Sequence, residues 1–124
     1  MYRTLFVAAG GLVGSVARYW LTGWVQNATT TTFPLGILVV NVLGSFVVGL
    51  VMALSLERGM ISAEMRILFA TGLCGGFTTM STFSYETIAL LQSGSTAAAL
   101  ANVGFTLGLC LTAVWAGMVA GRVV

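Results

Sequence analysis

Four long apolar stretches separated by three short polar ones account for the whole pattern of this chain. The first runs from about residue 5 to 25 and ends in Trp20 and Trp24, side chains suited to the interfacial aromatic belt of a membrane. Gln26 to Thr32 is a polar, threonine-rich loop. Phe33-Pro34 opens the second stretch, which continues to about residue 56; proline suits the first helical turn, where its missing N–H has no intrahelical partner anyway. A short charged loop, Glu57 to Glu64, leads to the third stretch, about 65–91. After a tight Ser/Gly turn at Gln92 to Thr96, the fourth covers about 97–120. Each is near the roughly 20 residues that cross the hydrocarbon core as a helix. The pattern predicts an all-α membrane protein, one domain over residues 1–124 with four transmembrane helices.

The third stretch is unlike the others. Between Gly72 and Ser84 it holds the pair Gly75-Gly76 and five hydroxyl residues, Thr78, Thr79, Ser81, Thr82 and Ser84. Backbone that leaves the helical ladder inside a bilayer must find partners in protein, water or a bound ion. The third helix is therefore predicted to be broken near its middle, in the neighbourhood of Gly75-Gly76, as an ion site. Unwound carbonyls there would face a cation such as sodium, and the half-helix that follows begins with a positive dipole end. The plainer alternative is a simple kink. Beyond the break, Thr79, Thr82, Phe83 and Glu86 fall at i, i+3, i+4 and i+7, on one helix face. That face offers hydroxyl donors, a carboxylate and an aromatic ring whose edge is positive. Any single Ser or Thr in a membrane helix can instead bond back to its own carbonyls. Glu86 reads either as an interfacial carboxylate or as a pathway group.

Two further polar residues need partners. Arg18 follows Gly10 and Gly14 at four-residue steps, so all three share a face. A charge at the bilayer centre costs on the order of 3 kcal/mol by insertion scales; Arg18 must snorkel to an interface or serve the bundle interior as a structural or anion-attracting group. Asn41, several residues inside the second stretch, can donate two hydrogen bonds to a dehydrated anion or bond a neighbouring helix. Small-residue pairs (Gly10/Gly14, Ser45/Gly49, Gly104/Gly108, Gly117/Gly121) predict close helix contacts. Four helices enclose little space alone, so a hydrophilic path points to a second copy, a homodimer.

Composition narrows the function. The chain is 58% hydrophobic and 6% charged, where soluble domains carry about a quarter charged residues. Five arginines, three glutamates and no histidine exclude a nucleic-acid surface and the usual catalytic or zinc-binding sets, so the chain is not read as an enzyme. Cys74 and Cys110 lie in apolar runs and read as small buried hydrophobes. The N-terminal run mimics a signal peptide but is read as a retained span. Arg3, Arg58, Arg66 and Arg122 would share one side, placing both termini in the cytoplasm.

Three ordered motifs resemble the Fluc/CrcB family of fluoride channels. They are Gly10-Gly11-Leu12-Val13-Gly14-Ser15-Val16-Ala17-Arg18-Tyr19, then Gly36 with Asn41-Val42-Leu43-Gly44-Ser45-Phe46, then Gly72 to Thr79 with Ser81-Thr82-Phe83-Ser84. The resemblance implies a passive channel exporting toxic fluoride across the bacterial inner membrane, as an antiparallel homodimer of dual topology with two pores. It implies a structural sodium ion held by the backbone carbonyls of Gly75 and Thr78. It implies a fluoride path along Asn41, Phe83, Thr79, Ser81 and Thr82, with Arg18 and Glu86 at family positions. Met80 departs from it, standing where the family usually has a phenylalanine. The arginine bias also favours one orientation, whereas an antiparallel dimer needs both. The rival is a small multidrug-resistance transporter, also of four spans, but such cation exporters need a carboxylate in the first span, which here has Arg18 and no acid.

Overall fold

The long apolar stretches form helices because, in lipid, a helix satisfies every backbone group within its own segment. The computed structural model describes residues 1–124 and contains helices, turns and no strand. Helix α1 is Tyr2–Asn27 and α2 is Leu35–Met52, which runs on through a widened π-type turn at Ala53–Glu57. Residues 63–77 form α3, built from Ala63–Arg66, a widened stretch Ile67–Cys74 and a last turn Gly75–Phe77. Ser62 caps its start by accepting the Met65 N–H at 3.2 Å. Helix α4 is Met80–Gln92, and α5 is Thr96–Val123. Gly94, at φ 80°, makes the turn between these two, a conformation that costs a glycine nothing.

Packing follows the small residues. The widened stretch of α3 lies along α1, and α2 lies along α5. A Cβ on Gly14 would collide with the Leu73 carbonyl, and one on Gly117 with the Phe46 carbonyl. These glycines therefore let backbone meet backbone, as helix pairs in membranes require. Gly104 and Gly108 meet nothing within 4 Å and lie on an open face of α5.

The outside of the bundle is apolar. Only 23 of 124 residues are buried, while Trp24 and Leu111 are each 72% exposed. Water would not tolerate such a surface; lipid does. Three helices, Tyr2–Asn27, Leu35–Glu57 and Thr96–Val123, are long and apolar enough to cross a membrane. The chain is a multi-pass membrane protein.

Charge collects at one end. Tyr2 Oη donates to Glu64 at 2.9 Å, and Arg3 pairs with the same carboxylate at 3.7 Å. Arg122 grips Glu57 with two hydrogen bonds, at 2.6 and 3.0 Å, while Arg58 donates to the Arg122 carbonyl. At the opposite end Gln26 ties the α1–α2 loop together. It donates to the Thr31 and Phe33 carbonyls and accepts from the Gly36 N–H.

Candidate functional site

Between α3 and α4 the chain leaves the helix for two residues. Thr78 (φ −83°, ψ 156°) and Thr79 (φ −151°, ψ 121°) are extended. The sequence pattern predicts the interruption near Gly75-Gly76, and the extended residues follow that pair by two to four positions. Gly75 instead keeps helical torsions (φ −61°, ψ −38°), and Gly76 serves as a close contact against the Gly11 backbone of α1. The physical reason is where partners stand. At Thr79, but not at the glycines, side chains take up the freed backbone groups.

Asn41 supplies two of those partners from α2. Its Oδ1 accepts the Thr79 N–H at 2.8 Å, and its Nδ2 donates to the Thr79 carbonyl at 3.1 Å. Asn41 and Thr79 are each 8% exposed, so no water competes for this two-point pairing. The Thr79 hydroxyl caps α4 by accepting the Thr82 N–H at 3.2 Å. It also donates to Thr82 Oγ1 at 3.2 Å and lies 3.1 Å from Ser81 Oγ. Thr79, Ser81 and Thr82 thus form one hydroxyl cluster at the start of α4. Ser84 and Thr87 bond back to the carbonyls of Met80 and Phe83.

The same pairing changes the carbonyls before it. In an unbroken helix the Thr79 N–H would serve the Gly75 carbonyl; it serves Asn41 instead, and Gly75 loses that partner. Gly75 is exposed, with open space on its Cβ side. The Thr78 carbonyl accepts from Arg18 Nη1 at 3.5 Å, which leaves it a lone pair. Arg18 therefore turns toward the interruption. These carbonyl oxygens fit a hard monovalent cation, and no cluster of His, Cys, Asp or Glu offers a different kind of metal site. Both cysteines are free thiols.

A cavity of about 380 Å³ opens beside the interruption, lined by Asn41, Thr78, Thr79 and Thr106 and, for the larger part, by apolar side chains such as Met80, Leu111 and Val114. Met80, 68% exposed, stands at its rim. Phe83 is 6% exposed and packs inward. Glu86 does not join this cavity. It lines a second one, about 520 Å³, with Thr22, Gln26, Thr32 and Ser93, where Glu86 Oε2 and Thr22 Oγ1 are buried without a hydrogen-bond partner. The structure thus brings Asn41, Thr78, Thr79 and Met80 together, joins Ser81 and Thr82 to them through the Thr79 hydroxyl, and sets Glu86 apart.

Sequence reasoning passes over three buried polar residues, Thr87, Asn102 and Thr106. Asn102 Nδ2 donates to Thr87 Oγ1 at 2.9 Å, and Thr106 Oγ1 donates to Asn102 Oδ1 at 3.5 Å. The signal was present: Asn102 and Thr106 are four apart in a mostly apolar helix, the same argument that singled out Asn41.

A family model described as "CrcB-like protein, Camphor Resistance (CrcB)" matches residues 5–118. The chain is 48% identical over 120 residues to "Fluoride-specific ion channel FluC 1" of Methanosarcina acetivorans, covering 97% of this chain and 91% of that relative. It is 46% identical to "Fluoride-specific ion channel FluC" of Geobacter sulfurreducens and 41% identical to that of Geotalea uraniireducens, each over 122 residues and 98% of both chains.

Proposed function

This chain belongs to the CrcB-like family, and from that premise we propose that it is a passive fluoride channel of the plasma membrane rather than an enzyme. In this reading α3 and α4 together make the third of four membrane crossings, interrupted at Thr78-Thr79. A second copy lies antiparallel against the open face of α5 and the rim at Met80, completing the path that one copy leaves open. The full-length similarity to relatives named as fluoride-specific channels supports the ion. One observation carries the mechanism: Asn41 and a run of hydroxyls meet at a backbone interruption beside a cavity.

Fluoride holds its water tightly, so a path must replace hydration with oriented N–H and O–H donors yet bind weakly enough for release. Asn41 has an amide proton beyond the one given to Thr79, and Thr79, Ser81 and Thr82 carry hydroxyls that can turn toward an anion. Phe83, on the same face of α4, adds a positive ring edge without a full charge that would trap the ion. Arg18, beside the Thr78 carbonyl, contributes positive potential near the interruption. Glu86, in the second cavity, lies farther along the same face of α4. Sodium, bound by the carbonyls of Gly75 and Thr78, would supply a fixed charge that holds the interruption and its symmetry mate together.

The test is efflux from proteoliposomes read with a fluoride electrode. Fluoride efflux that runs down its gradient without proton coupling is expected. Proton-coupled export of lipophilic cations with no fluoride flux would overturn the reading in favour of the multidrug-transporter class.

A further inference from the structure

We infer that Asn102 is a positioning residue for Phe83, acting across the α4–α5 interface through the hydroxyl of Thr87; the inference rests on the channel reading above. The connection is a directed chain of hydrogen bonds. Thr106 donates to the Asn102 carbonyl oxygen, Asn102 donates to Thr87 Oγ1 at 2.9 Å, and Thr87 donates to the Phe83 carbonyl at 2.8 Å. Its polarity is forced. The Phe83 carbonyl can only accept, so Thr87 spends its one hydroxyl proton there and must receive from the Asn102 amide.

Helix α4 has a narrow hold on the bundle. Its buried residues are Phe83, Thr87 and Leu90. Phe83 and Leu90 bury through non-directional contact, which tolerates rotation about the helix axis. Direction comes from the polar residues. Thr79, Phe83 and Thr87 follow one another at four-residue steps, so they share a face. Asn41 of α2 grips Thr79 at one end of that row, and Asn102 of α5 grips Thr87 at the other. Phe83 sits midway between the two clamps. Asn102 is 2% exposed and Thr87 9%, so water cannot substitute for the second clamp when it is removed. Freed at Thr87, α4 keeps its burial but loses the angle at which the Phe83 ring is presented.

The experiment compares Thr87→Val, Asn102→Leu, the double variant and Thr87→Ser in liposomes. Fluoride flux is counted per folded channel from the monodisperse fraction, together with fluoride-over-chloride selectivity. Each single variant is expected to lose flux by about fivefold, the factor one interhelical hydrogen bond supplies in a membrane, and to lose selectivity with it. The double variant should fall by clearly less than the product of the two single losses, because the Asn102–Thr87 bond is lost in each. Thr87→Ser, which keeps the hydroxyl, should retain wild-type flux and selectivity. Should Thr87→Val fail to fold, Thr87→Cys, with its weaker donor, takes its place and should show a partial loss. Wild-type flux and selectivity in folded Thr87→Val, Thr87→Cys or Asn102→Leu overturns the inference, as do multiplicative losses in the double variant. A wild-type protein that passes no fluoride overturns the channel reading itself, a distinct result.

Discussion

Replacing Asn41 by aspartate separates its two jobs. The side chain keeps its shape and still accepts the Thr79 N–H, held at 2.8 Å in the native protein. The Nδ2–H that donates to the Thr79 carbonyl at 3.1 Å is lost, and an acceptor now faces an acceptor. Leaving that carbonyl unmatched costs about 1–3 kcal/mol. The larger effect falls on the ion. A carboxylate about 4 Å from a passing anion, at the effective dielectric constant of roughly 20 that suits protein sites, repels it by about 4 kcal/mol. That corresponds to about three powers of ten in flux. Asn41→Ala is the control, because it removes both hydrogen bonds and adds no charge. It should lose about 2–6 kcal/mol of stability by thermal melting if both Thr79 groups go unmet, and yet pass more fluoride than Asn41→Asp. The assay is fluoride-electrode efflux from liposomes at matched protein content. Near-wild-type efflux from folded Asn41→Asp would refute the reasoning, and so would equal losses in the two variants.

Met80→Phe should fold normally, since Met80 is 68% exposed. It should raise fluoride flux roughly fivefold if a ring edge adds about 1 kcal/mol, as edge contacts between rings do; an unchanged or lower rate in the same efflux assay counts against Met80 at the rim of the path. Exchanging sodium for potassium should lower the melting temperature of the purified protein, because a ligand at 100 times its dissociation constant adds about 2.7 kcal/mol; identical melts in the two salts would reject a sodium site at Gly75 and Thr78. Gly117→Ala should cost about 1–3 kcal/mol by forcing α5 away from the Phe46 carbonyl. Gly104→Ala, on the open face, should cost far less in a detergent-solubilised monomer, so equal losses there would contradict the packing described.

Helical character and membrane residence were legible because apolar length and the spacing of small residues are local properties. Four-residue spacing puts Gly10, Gly14 and Arg18 on one face, and the structure aims that face at α3, with Arg18 at the Thr78 carbonyl. The location of the interruption was less legible. Glycine suggests where a helix can open, but the opening sits where partners exist, and Asn41 is 38 residues from Thr79 in sequence. Such a pairing depends on how α2 and α4 are placed side by side, which no local pattern encodes. Asn102 and Thr87 illustrate the same limit: each reads as an isolated polar residue until the hairpin of α4 and α5 sets them 2.9 Å apart.

The two sides of the interruption have different owners. Helix α3 is seated chiefly on α1 through glycine contacts, with α2 touching it near Gly44, whereas α4 is tied to α2 and α5 by side-chain amides. When the surrounding bilayer thins or thickens, helices adjust by tilting, and two separately seated bodies will tilt by different amounts. Any difference in tilt falls on Thr78-Thr79, the two extended residues that join them. Lipid thickness therefore becomes a mechanical load on the Asn41–Thr79 pair, and the same two hydrogen bonds that shape the path would register the membrane around it.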